Sequence, residues 1–149
     1  MIVQVMKIKE LATIPKYQTA GAAAFDLAAC LEGLFDFIII RAGYKVVINT
    51  GLSFAIPQGY EGEIRPRSGL AMKNDITIIN SPGTIDSDYR GEVMVGLINH
   101  GRYDMRINHG DRIAQMLIKR VEVATLLVVQ ELPSTERGTN GFGSTGLQG

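Results

Sequence analysis

Four short stretches of the chain gather residues able to handle a phosphorylated ligand. In Arg65-Pro66-Arg67-Ser68-Gly69-Leu70-Ala71, two guanidiniums and a hydroxyl surround a turn that opens a short helix through Met72 and Lys73. The unpaired N–H groups of a helix start, with Arg67 and Ser68, suit phosphate oxygens. The plainer reading is a capped surface turn, since Ser before an Ala/Leu stretch is an ordinary N-cap. In Asn80 to Gly91, a turn-rich hairpin holds Asp86, Asp88 and Tyr89 close together. Either acid can serve as a general base toward water or hold a hydroxyl, and Tyr89 can pack on a flat ligand. Most Asp residues in hairpins only brace the turn, and that reading stands first here.

The third stretch is Gly110-Asp111-Arg112-Ile113-Ala114-Gln115, in which Gln115 interrupts an apolar run. On a strand, Gln115 shares a face with Ile113 and Leu117, so it is expected to point inward and to need a partner, either structural or a ligand. The fourth is the tail Arg137 to Gly146, with a literal G-x-G-x-x-G at Gly141, Gly143 and Gly146. No helix can follow it in the three remaining residues, so it is no dinucleotide fingerprint, and the P-loop lysine is missing. Its amides, its hydroxyls and Arg137 can still wrap a phosphate chain. Phe142, isolated among glycines, fits stacking on a base or docking elsewhere.

These groups must be positioned by strands. Val3 to Lys9 alternates approximately, and further Ile/Val-rich candidates run over Phe37 to Arg41, Tyr44 to Thr50, Tyr60 to Arg65, Asp75 to Ile79, Glu92 to Asn99 and Glu122 to Gln130. Seventeen glycines punctuate them, and no sustained amphipathic helix is present. The pattern is that of an all-β sandwich or barrel. Ala20 to Leu31 leans to helix by propensity, and Asp111 to Arg120 fits either period. Beyond Leu132, Pro133, five glycines and few apolar residues give a segment unable to bury itself.

With 149 residues, 46% of them hydrophobic, the chain is long enough for one core without a metal or disulfide staple. Fifteen basic residues balance fifteen acidic ones, which argues against binding long nucleic acid. Cys30 is the lone cysteine, and with only His100 and His109 beside it no Cys/His metal cluster can be assembled. A single thiol fits a cytoplasmic setting. No apolar run reaches the length of a membrane span.

Taken in order, these stretches resemble the five motifs of the trimeric deoxyuridine triphosphatase (dUTPase) family. Ala20-Gly21-Ala22-Ala23-Ala24-Phe25-Asp26-Leu27 is similar to motif one, Arg65 to Lys73 to motif two, Asn80 to Gly91 to motif three, Gly110 to Leu117 to motif four and Arg137 to Gly146 to motif five. The resemblance implies an all-β fold, a distorted jelly-roll barrel over residues 1–132, and a flexible C-terminal arm over 133–149. It also implies a homotrimer in which swapped arms close sites at subunit junctions. Ala20 to Leu31 is then a turn followed by a strand from about Phe25, and Asp111 to Arg120 a strand.

The activity implied is Mg2+-assisted hydrolysis of dUTP to dUMP and pyrophosphate, which keeps uracil out of DNA and supplies dUMP for thymidylate synthesis. By the same resemblance, Asp86 orients the attacking water and holds the 3'-hydroxyl, while Tyr89 packs under the sugar. Asn80 and the hairpin backbone at Gly83 and Ile85 read uracil. Asp26 steadies Mg2+ through water, and Arg67, Ser68, Gly69 and Gln115 hold the phosphates, with Ser68 beside the leaving oxygen. Arg137, Gly143, Ser144 and Thr145 close over the triphosphate, and Phe142 covers the base. Nucleic acid and membrane are not implied partners.

Phe25 stands where the family often has Tyr, and Asn140 where it commonly has Gly; the second bears on arm ordering. A dCTP deaminase of the same fold is the rival enzyme. Its pattern carries a Glu five residues after the glycine equivalent to Gly91, a position occupied here by Gly96. A second alternative is a dUTP-gated protein-interaction module. With both Asp26 and Asp86 in place, an inactive relative is disfavoured.

Overall fold

The protein is described by a computed structural model over residues 1–33 and 36–141. Among the described residues the elements are β1 (Gln4–Lys7), β2 (Phe25–Ala28), β3 (Phe37–Ile40), β4 (Lys45–Asn49), β5 (Leu52–Ala55), β6 (Tyr60–Arg65), α1 (Ser68–Asn74), β7 (Ile76–Ile78), β8 (Gly83–Ile85), β9 (Met94–Asn99), β10 (Met105–Asn108) and β11 (Arg112–Arg120). The strands form a four-stranded sheet, β2-β11-β6-β8, a three-stranded one, β4-β9-β7, and the two pairs β1-β5 and β10-β3. Every pairing is antiparallel. This is the all-β, distorted jelly-roll architecture expected from the sequence, with one short helix. Among the described residues, no helix is long and apolar enough to cross a membrane.

One core runs through the molecule. Leu27, Ile40, Ile48, Leu52, Ile76, Leu97, Ile107, Ile113 and Met116 are fully buried in it, each contributing roughly 1.5–3 kcal/mol from apolar burial. Strand period explains which residues enter: along β9, Val95, Leu97 and Asn99 are buried while Met94 is exposed. Asn99 is tolerated because its amide donates to the carbonyls of Ile40 and Tyr103, both at 2.9 Å, and its Oδ1 accepts from Gly101 N–H.

Ala20 to Leu31 contains no helix. Phe25 and Leu27 turn into the core on β2, and Ala28, Ala29 and Cys30 stay buried beyond them. Tertiary burial overrides alanine's helix propensity here. The small residues also let the β4–β5 turn approach: a Cβ at Gly51, whose φ is +69°, would sit 2.9 Å from Cys30 Sγ. The Phe25 ring stacks on Phe54 at 6.1 Å and meets Tyr17 edge-on at 5.5 Å. A phenylalanine suits this position because no buried hydroxyl then needs a partner.

One strand expectation is overturned. Glu122 to Gln130 forms no strand in the chain, and Leu126, Leu127 and Val128 stand 82–95% exposed. β-propensity cannot make a strand without a neighbouring edge to pair with. β5 and β10, by contrast, escaped the sequence reading. β5 is nearly all buried, and β10 alternates over only four residues, Met105–Asn108.

Candidate active site

Two groups of motif residues sit on the four-stranded sheet. The first centres on β11, the strand between β2 and β6. Gln115 lies opposite Asp26 of β2 on one side and Arg65 of β6 on the other, so three motifs meet in one row across the sheet. Asp26, with its side chain 15% exposed, accepts from Arg67 Nε at 2.8 Å and from Arg112 Nη1 at 3.0 Å. Arg67 Nη1 also donates to the Arg112 carbonyl. A carboxylate shared between two guanidiniums fixes both in place.

A bulge corrects the expected orientation of Gln115. The register with β2 shifts between Arg112 and Ala114, so Ile113 and Ala114 are both buried and Gln115 falls on the opposite face, half-buried. An extra residue in one strand reverses the alternation beyond it. The partner Gln115 needs is the Pro66 carbonyl, which accepts from Nε2 at 2.8 Å. Its second amide hydrogen remains for a ligand. Arg112, which the sequence reading gave no role, joins the cluster through this same bulge; nothing in the local sequence marks the shift.

Pro66 and Arg67 lead from β6 into α1. Arg67 itself is the N-cap residue in extended conformation, without a side-chain cap, so Ser68 is the first helical residue rather than the cap. The capped-turn reading of this stretch therefore fails. Ser68 and Gly69 are exposed beside Arg67.

The second group is the hairpin. β8 pairs with β6 through Gly62↔Ile85, Glu63↔Thr84 and Ile64↔Gly83. Asn80, Gly83 and Ile85 line a cavity of about 50 Å³ together with Ile64, Ile78 and Met94. Asp86 is exposed and lines a larger cavity of about 790 Å³ shared with Glu61, Thr84, Asp88, Arg90 and Val121. Tyr89, 40% exposed, donates its backbone N–H to the Asp86 carbonyl and its hydroxyl to the Glu92 carbonyl at 3.0 Å.

The two groups lie at opposite ends of β6. Asp86 follows the residue paired with Gly62, whereas Ser68 lies beyond Arg65, so the strand alone separates them by on the order of 13 Å. Among the described residues, no hydrogen bond or ion pair joins them, nor do three or more His, Cys, Asp or Glu side chains gather in a group able to hold a metal ion.

In the tail, Arg137 Nε donates to the Asn140 carbonyl and Asn140 N–H to the Arg137 carbonyl. Gly138, with φ +54°, takes the left-handed position of this turn, and Asn140 does not. The asparagine is thus compatible with the local backbone. Phe142, Gly143, Ser144 and Thr145 lie outside the described residues.

Comparison with known proteins agrees along nearly the whole chain. The family model described as dUTPase matches residues 10–146. A deoxyuridine 5'-triphosphate nucleotidohydrolase of Desulfotalea psychrophila is 54% identical over 138 residues, covering 93% of this chain and 90% of that protein. One of Wolinella succinogenes is 51% identical, covering 98% and 95%. Among solved structures, a Staphylococcus bacteriophage 80alpha dUTPase with dUPNHPP superposes with a TM-score of 0.87 at 27% identity, covering 98% of this chain and 99% of that one. With the first four motifs standing on the matching fold and the family model matching residues 10–146, the chain belongs to the dUTPase family.

Proposed function

We infer that the protein is a dUTP diphosphatase, hydrolysing dUTP to dUMP and pyrophosphate by attack of water on the α-phosphorus. The observation that carries this reading is the row Asp26–Gln115–Arg65 on β2-β11-β6, with Arg67 held on Asp26 and Gln115 on Pro66. It prepares guanidinium, amide and hydroxyl donors for a phosphate chain before any ligand arrives. Arg67, Ser68, Gly69 and Gln115 bind the phosphates, with Ser68 donating beside the leaving oxygen. Asp86 orients the water and the 3'-hydroxyl. Asn80 and the backbone at Gly83 and Ile85 read the base, and Tyr89 packs on the sugar.

The separation of Asp86 from Ser68 along β6 supports a homotrimer in which one site draws its hairpin and its phosphate donors from different chains. The unpaired apolar stretch Glu122 to Gln130 supports the same assembly, since its exposed Leu and Val side chains need a partner surface. In that assembly the arm of residues 133–149 crosses to close the site, with Arg137, Gly143, Ser144 and Thr145 on the triphosphate and Phe142 over uracil. Closure excludes water other than the nucleophile.

Mg2+ is the cofactor we assign. The donors present suit an ion carried on substrate phosphate oxygens with its own waters, as Mg2+ prefers, and not an ion caged by protein side chains. Asp26, already shared by Arg67 and Arg112, would meet it through water. Bound there, the ion would neutralise charge on the phosphate oxygens. Relatives at 45–54% identity that carry the name deoxyuridine 5'-triphosphate nucleotidohydrolase also support the reading, and with it a cytoplasmic enzyme of nucleotide metabolism.

Deamination is not supported. Position 96 is glycine and carries no acid, and a Cβ there would lie 3.1 Å from Ile79 Cγ2, a tight approach. The test is incubation with Mg2+ and, separately, dUTP, dCTP, dTTP and UTP, followed by chromatography and assays for pyrophosphate and ammonia. dUMP and pyrophosphate from dUTP alone is the expected result. Ammonia from dCTP would overturn it.

A further inference from the structure

We propose that Gly91 is a positioning residue for Tyr89, and that its missing side chain is what lets the enzyme prefer a 2'-deoxy sugar. The inference rests on the dUTP reading above and extends it to a residue that touches no substrate. A Cβ built at Gly91 would overlap the hydroxyl and ring carbons of Tyr89. The ring therefore lies across the glycine, with its hydroxyl pinned on the Glu92 carbonyl one residue further on, at 3.0 Å.

A glycine can be required by its backbone or by its neighbours, and here the two separate. Left-handed glycines occur at Gly43, Gly51, Gly59, Gly110 and Gly138, and Gly91 is not among them. Alanine is thus compatible with its backbone, and the constraint comes from the Tyr89 ring.

The surrounding chain leaves the ring as the part that must move. Arg90 Nη1 donates to the carbonyls of Ser87 and Tyr89 at 2.7 and 2.8 Å, and Ser53 Oγ donates to the Arg90 carbonyl at 2.8 Å. Glu92 is fixed in turn: its carboxylate accepts from Gly51 N–H at 2.8 Å and from Asn49 Nδ2 at 3.0 Å. With both flanks tied to the β4–β5 region, an added methyl is relieved by swinging the tyrosine off its platform. Discrimination that works by excluding a hydroxyl is sensitive to such a displacement.

The experiment compares wild type, Gly91→Ala, Tyr89→Ala and the double variant, measuring kcat/KM for dUTP and UTP. It also follows the Tyr89 ring NMR resonances in nucleotide-free protein with labelled tyrosine. Gly91→Ala is expected to shift those resonances and to lower the dUTP-over-UTP preference by about tenfold. In the Tyr89→Ala background it should add nothing. An unchanged preference in folded Gly91→Ala, or an equal loss in both backgrounds, would overturn the proposal. Should Gly91→Ala fail to fold, recovery in the double variant supports the clash and an unfolded double variant refutes it. Absence of dUTP turnover in wild type would instead sink the functional reading, with the ring resonances still deciding whether Gly91 positions Tyr89.

Discussion

Asp86 projects from the hairpin with its carboxylate free of ion pairs among the described residues, while its backbone carbonyl holds Tyr89 N–H. Replacing Asp86 by Asn leaves that backbone bond intact and removes only the carboxylate proposed as the base. Turnover of dUTP should fall roughly 10²- to 10⁴-fold with nucleotide affinity little changed, as steady-state kinetics and calorimetry would show; near-wild-type turnover would remove Asp86 from the mechanism. Cys30 makes the opposite kind of prediction. It is 2% exposed, and burial first, then the nearby Glu32 carboxylate, push its thiol above the usual value. The thiolate is the reactive form, so a thiol reagent at pH 8 should label Cys30 only after denaturant is added. Labelling of the native protein at the unfolded rate would contradict this. The sequence names both residues, yet taken alone the hairpin reads Asp86 first as a turn former, because type and spacing do not separate a carboxylate that braces a turn from one that serves a ligand.

At the scale of elements, the β6–β11 pair holds the molecule's site in register, and its two faces can be tested separately. On the inner face, a Cβ at Gly62 would lie 2.9 Å from Met116 Sδ and 3.0 Å from Ile56 Cδ1. Gly62→Ala should therefore destabilise the fold by about 1–3 kcal/mol through overpacking, measured as a lowered urea midpoint. An unchanged midpoint would mean that the thioether simply moves aside. On the outer face, Glu63 is gripped by Lys119 at 2.6 Å and by Arg65. The hydrogen bond from Lys119, then that from Arg65, hold its carboxyl below its ordinary value of 4.5. A folded value below the unfolded one means stability that is present above about pH 4.5 and lost as pH falls through the folded value. Glu63→Gln should be less stable than wild type at neutral pH, and the gap in urea midpoint should close on acidification below 4.5. A gap independent of pH would show that shape, not charge, sets the effect. Runs rich in Ile and Val between Gly, Pro and Asn made β4, β6 and β9 readable from sequence, whereas the bulge at Ile113, which decides the direction of Gln115, is a property of how β11 meets β2.

At the scale of the whole molecule, the last strand among the described residues runs to Arg120, and Val123, Leu126, Leu127 and Val128 then stand in the open. A chain ending after Arg137 keeps this apolar stretch and loses the motif-five residues beyond Arg137. Both it and the full-length protein should sediment as trimers, and it should hydrolyse no dUTP; retained activity would refute the role of the arm, and a monomer beside a trimeric full-length protein would place assembly in the last twelve residues. The sequence by itself determined the fold class, because strand period and glycine punctuation are local, and it determined the motif residues, because their chemistry is carried by type and order. Tertiary structure supplies the reason why Ala20 to Leu31 holds a strand, as the family resemblance implies and residue propensity does not: burial of Phe25 and Leu27 outweighs alanine's helix propensity. It alone decided that Glu122 to Gln130 goes unpaired in one chain, because a strand exists only against another edge. It also decided that Asp26, Arg67, Arg112 and Gln115 share a cluster while Asp86 lies at the far end of β6, since antiparallel register, not spacing along the chain, sets which residues become neighbours.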